Sequence, residues 1–282
     1  MVFTAIRTDL ALEAKALWEK SAGETTELSG VRARERENEG LSVTQVDILD
    51  EQGQAALGKP IGRYVTVELP RFDRDTRRPA KAIAQELRAL LPEDCGSVLV
   101  AGLGNRAVTP DALGPRAADR LFLTRHLIAN LPAQFGACRE VSALTPGVLA
   151  TTGIETLEIV RGAVSHVRPS LVIAVDALAA GSMERLCRTV QLSDTGLVPG
   201  SGVGNRRAAF SSETLGVPVL SVGVPTVVDA SALCDSADER MIVTPRDIDA
   251  QIAWLGSILA DAINLALHPA FSAEEIAQFV QS

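Results

Sequence analysis

The chain has 282 residues, of which 46% are hydrophobic, 22% are charged and 4% are aromatic, and its formal net charge is −8 at pH 7. A chain of this length can bury a substantial core in one or two domains. The negative charge argues against a nucleic-acid or anionic-membrane binder, and the few aromatic rings argue against stacking on single-stranded bases.

Targeting signals are not expected in this sequence. No apolar run approaches the ~20 residues that a membrane span needs. Arg7, Asp9 and Glu13 interrupt the N-terminus where a signal peptide would carry its apolar stretch. The four cysteines are widely spaced and form no Cys-x-x-Cys pair, which is typical of reduced thiols and predicts a cytoplasmic protein.

Apolar periodicity predicts helices and strands in alternation along most of the chain. Helices are expected at residues 8–20, with Asp9 as the cap, and at 81–91, 116–130, 151–167, with Thr152 as the cap, and 244–268. Strands are expected at residues 41–48, 62–69, 98–100, 141–144, 171–175, 186–192 and 217–222. This alternation predicts an α/β fold, a three-layer sandwich with a mostly parallel central sheet. We expect one domain over residues 1–282, with residues 40–70 as a peripheral β-hairpin.

Two predicted strand ends each carry a carboxylate. Residues 97–115 read as a buried strand that breaks at Gly102 and Gly104 and leads to Asp111, and residues 171–181 read as a strand that ends in Asp176. In an open α/β sheet, catalytic groups gather in the loops after the strands. Two carboxyls held close together do not both ionise easily, so one keeps a proton while the other activates water. The structural alternatives are a helix cap for Asp111 and a loop-amide acceptor for Asp176.

Other motifs compete with this interpretation. Gly102–Ala107 matches G-x-G-x-x-A and suggests a dinucleotide site, but residues 108–110 separate the motif from the following helix, whose N-terminus should meet the phosphates. Asp194-Thr195-Gly196 resembles the aspartic protease triplet, yet it occurs once and in an α/β pattern, so it is interpreted as a turn. Ser201 lies in a Gly-rich loop without a nucleophile motif. The three histidines show no metal-binding spacing.

Long stretches of the sequence resemble the germination protease family of spore-forming bacteria. They follow the family's order over nearly the whole chain, at residues 7–11, 62–66, 102–105, 108–115, 124–127, 146–148, 152–156, 176–180, 199–205 and 223–229. The resemblance implies an atypical aspartic-type endopeptidase that degrades small acid-soluble spore proteins during germination, with Asp111 and Asp176 as its catalytic pair. It also implies a zymogen that loses residues 1–9 by cleavage between Asp9 and Leu10.

The resemblance extends these expectations to the surroundings of the site. Candidate site-lining residues are Gly102, Gly104, Asn105, Asp194, Ser201 and Asn205. The family is similar in fold to the hydrogenase maturation endopeptidases, which have a phosphorylase/hydrolase-like architecture and hold a metal with two acidic residues and a histidine. No motif supplies that histidine here, so we expect no metal and no cofactor. A homo-oligomer in the forespore or spore core, without nucleic-acid or membrane partners, is expected.

Two alternatives stay open from the sequence: a maturation peptidase for a metalloenzyme precursor, and a nucleotide-binding module that uses Gly102–Asn105. One departure from the family pattern is also visible. Members carry a much longer segment where this chain passes from Ala230 to Val243. The departure leaves both aspartates in place and bears on regulation and subunit contacts.

Overall fold

The computed structural model describes residues 8–22, 28–72, 75–200, 207–230 and 241–280. Within these residues nine strands form one sheet, in the order β1-β2-β3-β7-β8-β6-β4-β5, and β9 pairs with β8 beside that path. The strands are β1 (Val31–Asn38), β2 (Leu41–Ile48), β3 (Gly62–Glu68), β4 (Val98–Gly102), β5 (Val141–Leu144), β6 (Leu171–Ala180), β7 (Thr189–Ser193), β8 (Val219–Asp229) and β9 (Ile242–Val243).

The sheet is mixed, so the prediction of a mostly parallel sheet was wrong for half of it. Strands β5, β4, β6 and β8 are parallel, whereas β7, β3, β2 and β1 continue the sheet with antiparallel pairs. The connection from β6 to β7 spans only residues 181–188. A parallel crossover needs about a dozen residues or more, so this short connection returns the chain in the opposite direction.

Helices cover both faces, which confirms the three-layer α/β architecture. One core cluster packs α3, α4 and α10 against one face, and a second packs α8 and α9 against the other. The helices are α1 (Ala11–Ala22), α2 (Glu51–Leu57), α3 (Arg77–Leu90), α4 (Leu113–Ala118), α5 (Arg125–Asn130), α6 (Pro132–Phe135), α7 (Leu149–Thr152), α8 (Thr156–Val167), α9 (Ser212–Leu215), α10 (Ile248–Leu267) and α11 (Ala273–Val280).

Helix α10 is the apolar centre of one layer. Its 20 residues have a mean hydropathy of 1.4, enough by length and composition to cross a membrane. The sequence expectation that no run approaches this length therefore overlooked α10. A helix that is apolar on most sides suits either a membrane or a core, and 67% of this apolar stretch is buried inside the protein. In this structure α10 is a core helix.

The hairpin expected at residues 40–70 is part of the main sheet. Strands β2 and β3 pair antiparallel, and β3 continues the sheet by pairing with β7. Helix α2 connects the two strands; Asp50 caps it by accepting the N–H groups of Gln52 and Gly53. Strand β1 adds the outer edge of this half of the sheet.

Two predicted helices are interrupted, and two predicted caps were wrong. The helix expected at 116–130 is split into α4 and α5, and that expected at 151–167 is split into α7 and α8 at Gly153, which has a left-handed φ of 71°. The N-cap of α8 is Glu155 and not Thr152. Helix α1 begins at Ala11, and the Asp9 carboxylate accepts the N–H of Ala179 on β6.

Candidate active site

Asp111 is held by the loop that follows β4. The loop closes on itself, because the backbone N–H of Asn105 donates both to the carbonyl oxygen of Asp111 and to its Oδ2, at 3.1 and 2.8 Å. Gly104 makes this closure possible: its φ is +113°, and a Cβ there would lie 2.0 Å from the Asp111 carbonyl oxygen. Thr109 ties the same turn to α10 through a 2.9 Å hydrogen bond to Asp249. These hydrogen bonds and the close packing at Gly104 fix the position of the Asp111 carboxyl.

Asp176 lies on β6, directly beside the same loop. The N–H of Leu103, just after β4, donates to the carbonyl of Val175 in the middle of β6 at 2.8 Å. The prediction that this strand ends in Asp176 was wrong, because β6 stays paired with β8 as far as Ala180. Gly114 fits against this junction, where a Cβ would lie 2.4 Å from the Val175 carbonyl oxygen. The Asp176 side chain is 5% exposed, and its Oδ1 accepts the N–H of Ala177 at 2.9 Å. The structure thus brings both predicted carboxyls to one rim of the sheet.

The two carboxyls have unequal electrostatic environments. Burial raises the pKa of Asp176 well above its ordinary value, and the charges of Asp111 and Asp9 raise it further. Burial also raises the pKa of Asp111, but the Asn105 N–H opposes that rise. The environment therefore favours the neutral form more strongly at Asp176 than at Asp111.

A cavity of about 450 Å³ contains both carboxyls, and we call it the dyad cavity. Its lining is largely apolar and comes from the loops after β4 and β5, from strands β6, β8 and β9 themselves, and from the segment after β7. Arg207 and Glu155 form a half-exposed ion pair of 3.4 Å on its lining. The remaining lining includes Asp9, Gly104, Val148, Leu178, Pro199 and Thr226. A concave apolar cavity with a few convergent polar groups is the usual form of a ligand site.

The chain's own N-terminal segment lies against the dyad cavity. The N–H of Asp9 donates to the Ala179 carbonyl at 3.0 Å, and the Asp9 Oδ2 accepts the Ala179 N–H at 2.9 Å. The side-chain amide of Gln191 binds the backbone on both sides of Leu10. Its Nε2 donates to the Asp9 carbonyl, and its Oε1 accepts the N–H of Ala11. Leu10 between them is fully buried. The predicted processing residues thus lie beside the dyad, with Asp9 in a bend that hydrogen bonds to Ala179 and Gln191 hold in place.

Asp194 lies elsewhere. It lines a second cavity of about 580 Å³, whose walls also include Lys59, Tyr64 and Gln191. Its Oδ1 accepts the N–H of Arg63 at 2.7 Å, in a bend after β7. Asp9 and Leu178 line both cavities. These two residues separate Asp194 from the dyad.

The remaining predicted residues are placed as follows. Gly102 packs in β4, where a Cβ would lie 2.4 Å from the Gly114 carbonyl oxygen, while Gly104 lines the dyad cavity. The Asn105 N–H is committed to Asp111, and α4 begins only at Leu113, so the loop does not open a helix toward a phosphate. Ser201 and Asn205 lie outside the described residues.

Sequence reasoning did not identify Gln191, Lys59 or Arg207. Gln191 lies between Val190 and Leu192 in β7, a strand whose five residues are all buried, so a polar side chain flanked by apolar ones was the available signal. Lys59 and Arg207 carry no such pattern, because their roles depend on long-range contacts. Among the described residues, no three side chains of His, Cys, Asp or Glu come together in a geometry that could hold a metal ion.

Comparison with known proteins gives a consistent family. The family model for germination proteases matches residues 9–239 of this chain. A germination protease of Caldanaerobacter subterraneus subsp. tengcongensis is 42% identical over 328 aligned positions, covering 99% of both chains. That of Clostridium tetani is 38% identical and covers 98% of this chain and 99% of the relative. That of Priestia megaterium is 46% identical over 241 positions, covering 81% of this chain and 65% of the relative.

Two further points come from these comparisons. The 328 aligned positions exceed the 282 residues of this chain, so the Caldanaerobacter relative has residues where this chain has none. Among solved structures, the NiFe hydrogenase maturation protease HycI of Thermococcus kodakarensis matches with 17% identity and a TM-score of 0.38, covering 70% of this chain and 99% of that one.

Proposed function

The chain belongs to the germination protease family and is a peptidase, and from this premise we propose that it degrades small acid-soluble spore proteins by an aspartic-type mechanism. Asp111 and Asp176 are its catalytic residues. The observation that carries the proposal is the meeting of these two carboxyls in one cavity, with Asp176 buried and its pKa raised by burial and by the charge of Asp111.

The proposed reaction is direct hydrolysis without a covalent intermediate. The ionised Asp111 takes a proton from a water molecule, and the water oxygen attacks the peptide carbonyl. The protonated Asp176 donates its proton toward the carbonyl oxygen as the tetrahedral intermediate forms. Asp111 then gives the proton it took from water to the amide nitrogen, and Asp176 takes its proton back from a hydroxyl of the intermediate. The C–N bond breaks, which releases a carboxylic acid and an amine and restores both carboxyls to their starting states. General acid–base transfer of this kind contributes about 10²–10⁴-fold to a rate.

The same dyad also processes the enzyme in this proposal. The bond between Asp9 and Leu10 is cut, and residues 1–9 leave. The placement of Asp9 in the dyad cavity supports this step, as does the contribution of its charge to the raised pKa of Asp176. The hydrogen bonds of Asp9 to Ala179 and Gln191 also support a model in which a substrate chain docks on the same groups. The resemblance to the family further supports a homo-oligomer that acts in the cytoplasm of the forespore and spore.

The decisive test is cleavage of a purified small acid-soluble spore protein, with the fragments identified by mass spectrometry. Asp111→Asn and Asp176→Asn should each reduce kcat/KM by at least about 100-fold while the melting transition persists. Asp261→Asn is the matched control, because burial also raises the pKa of Asp261, yet it lies on α10 outside the dyad cavity. Its activity should be unchanged.

Two results would overturn the mechanism. The first is substantial cleavage by either folded dyad variant. The second is loss of activity with a chelator and recovery with nickel or zinc, which would require a metal-bound water in place of the carboxyl pair.

A further inference from the structure

Glu13 is a buried carboxylate beside the N-terminal segment. Its side chain is 9% exposed. Oε2 accepts the N–H of Gly181 at 2.6 Å and also the hydroxyl of Thr8. Oε1 is buried and has no hydrogen-bond partner among the described residues. Since a buried carboxylate oxygen without a donor is costly, this vacant acceptor calls for an explanation.

Thr8 stands between Glu13 and the backbone nitrogen of Leu10. The Leu10 N–H donates to the Thr8 Oγ1 at 3.0 Å, and that hydroxyl donates to Glu13. Helix α1 starts at the next residue, Ala11, so Leu10 is in the N-cap position and Glu13 is in the third helical position. In a capping box, a glutamate at this third position reaches back to the N–H of the cap residue. Here the Thr8 hydroxyl, and not Glu13, accepts the N–H of Leu10.

We propose that Glu13 is the acceptor for the α-ammonium group that processing creates on Leu10. This proposal rests on the proposed cleavage between Asp9 and Leu10. Hydrolysis leaves a carboxylate on Asp9 and an amine on Leu10, and Thr8 departs with residues 1–9. Leu10 then loses its acceptor and Glu13 loses a donor at the same moment. The new ammonium group and Glu13 pair directly, which completes the capping box with a charge-assisted bond.

Electrostatics favours the pair, and the pair is connected to the active site through strand β6. A positive charge at a helix N-terminus opposes the helix dipole, so the ammonium group on Leu10 needs a nearby carboxylate. Glu13 is already fixed there, because it holds the N–H of Gly181 just after β6. Strand β6 also carries Asp176. Processing thereby converts a neutral bridge through Thr8 into an ion pair at the end of the catalytic strand.

Among the described residues, Lys59 is a charged group close enough to Glu13 for the Glu13 charge to act on its pKa. Its Nζ donates to the Thr8 carbonyl at 3.3 Å. Burial lowers its pKa, and the charges of Asp9 and Glu13 oppose that change. Processing removes Asp9, so Glu13 then faces two cations, Lys59 and the new ammonium group of Leu10. The Oε2 of Glu13 already accepts the N–H of Gly181, and its Oε1 is the oxygen that has no partner before processing. The titration of Lys59 must therefore be separated from that of the new amine in any test.

The experiment uses a chain that begins at Leu10, released from a carrier protein by a protease that leaves no extra residue. It does not depend on self-processing, so failure of the proposed activity leaves the test intact. The matched control carries one added glycine before Leu10, which moves the amine but retains Lys59. Glu13→Gln is made in both chains and in the full-length protein. Melting temperature is measured from pH 6 to 10, and the α-amine pKa by pH-dependent labelling.

In the chain that begins at Leu10, the α-amine pKa should lie above its ordinary value of about 8 and fall when Glu13 becomes Gln. A raised amine pKa stabilises the fold below the unfolded value, and this stability is lost as pH rises through the folded value. The melting temperature lost through Glu13→Gln should therefore be larger at pH 7 than at pH 10, and this pH dependence should exceed that of both other chains. Equal dependence in all three chains would overturn the pair, as would an amine pKa insensitive to Glu13→Gln.

Folding failures are also informative. If Glu13→Gln does not fold, the comparison between the chain that begins at Leu10 and its glycine-extended control still tests the position of the amine. If the chain that begins at Leu10 does not fold while the full-length protein does, the proposal is wrong, because the pair should replace the contacts of Thr8.

Discussion

At the scale of the residue, the two carboxyls of the proposed dyad differ in burial and in the backbone groups that they bind. Asp176 is nearly inaccessible and accepts one backbone N–H, from Ala177. Asp111 is half-buried and accepts the Asn105 N–H on the oxygen that faces the loop. A pair of like charges with unequal burial is a common arrangement for separating acid from base. The two residue types were visible in the sequence, whereas their unequal environments follow from the fold.

The raised pKa of Asp176 has a measurable consequence for stability. The folded state retains a proton that the unfolded chain loses near pH 4, so this residue lowers stability as pH rises from that value through its folded pKa. Asp176→Asn removes this cost and retains an acceptor for Ala177. We expect the inactive variant to melt higher than the parent protein at pH 7, by about 2–4 °C for each kcal/mol recovered.

This gain should shrink as the pH approaches 4, and differential scanning calorimetry across that range measures it. Asp261→Asn should change stability in the same direction but less, because the charge of Arg120 opposes the effect of burial there. A variant Asp176→Asn that is less stable than the parent protein at pH 7 would contradict the assigned environment.

Asp194 provides a contrast within the same molecule. Because its Oδ1 accepts the Arg63 N–H in the second cavity, its role in this structure is to hold a bend. Asp194→Asn keeps an acceptor, so spore-protein cleavage should stay within about twofold of the parent. Asp194→Ala leaves that N–H to water and should lower stability by about 0.5–1.5 kcal/mol, measured by denaturant unfolding. Loss of activity in Asp194→Asn comparable to that in the dyad variants would add a third carboxyl to the mechanism.

At the scale of the element, the loop after β4 works because glycines allow the backbone to approach closely. Gly104→Ala should therefore displace Asp111, since the new Cβ would meet the Asp111 carbonyl oxygen at 2.0 Å. We expect at least a tenfold loss of kcat/KM. Gly58→Ala is the matched control, because Gly58 also has a positive φ, +64°, but open space around its Cβ. It should cost only backbone strain, about 1–2 kcal/mol, with activity retained. Equal activity in the two variants would show that Asp111 does not depend on this packing.

The same scale shows what the sequence could and could not predict. Strands β4 and β6 are buried and contain apolar runs, so the strands and the carboxylates that follow these runs were predictable. The end of β6 was not, because pairing with β8 carries the strand through Asp176 to Ala180. Strand β1 reads VRAREREN and has no apolar face, because it is an exposed edge; it therefore gave no periodic signal. Helix α2 is seven residues long and depends on its Asp50 cap, which periodicity does not detect. The pairing of Asp9 with Ala179 joins residues 170 apart along the chain, and no local pattern encodes it.

At the scale of the whole molecule, Asp9 of the N-terminal segment lies between the dyad cavity and the second cavity. Asp9 and Leu178 are the residues common to the dyad cavity and the second cavity. Leu178 packs closely over Gly223, where any Cβ would lie within 2.9 Å of three Leu178 atoms, so its position is fixed by packing. Asp9, in contrast, leaves with residues 1–9 if the proposed processing occurs. Loss of residues 1–9 would leave Leu178 as the remaining wall between the two cavities and open a longer path for an extended substrate.

Removal of residues 1–9 by the proposed dyad should depend on pH. The dyad needs one protonated and one ionised carboxyl, so processing should fall at low pH, where both are protonated, and at high pH, where both are ionised. The raised pKa of Asp176, to which Asp9 itself contributes, moves the alkaline limit upward. Incubation of the full-length protein from mildly acid to neutral pH, followed by N-terminal sequencing, should yield a new terminus at Leu10, and none in Asp111→Asn. An enzyme that remains intact at every pH and still cleaves spore protein fully would show that residues 1–9 do not restrain it.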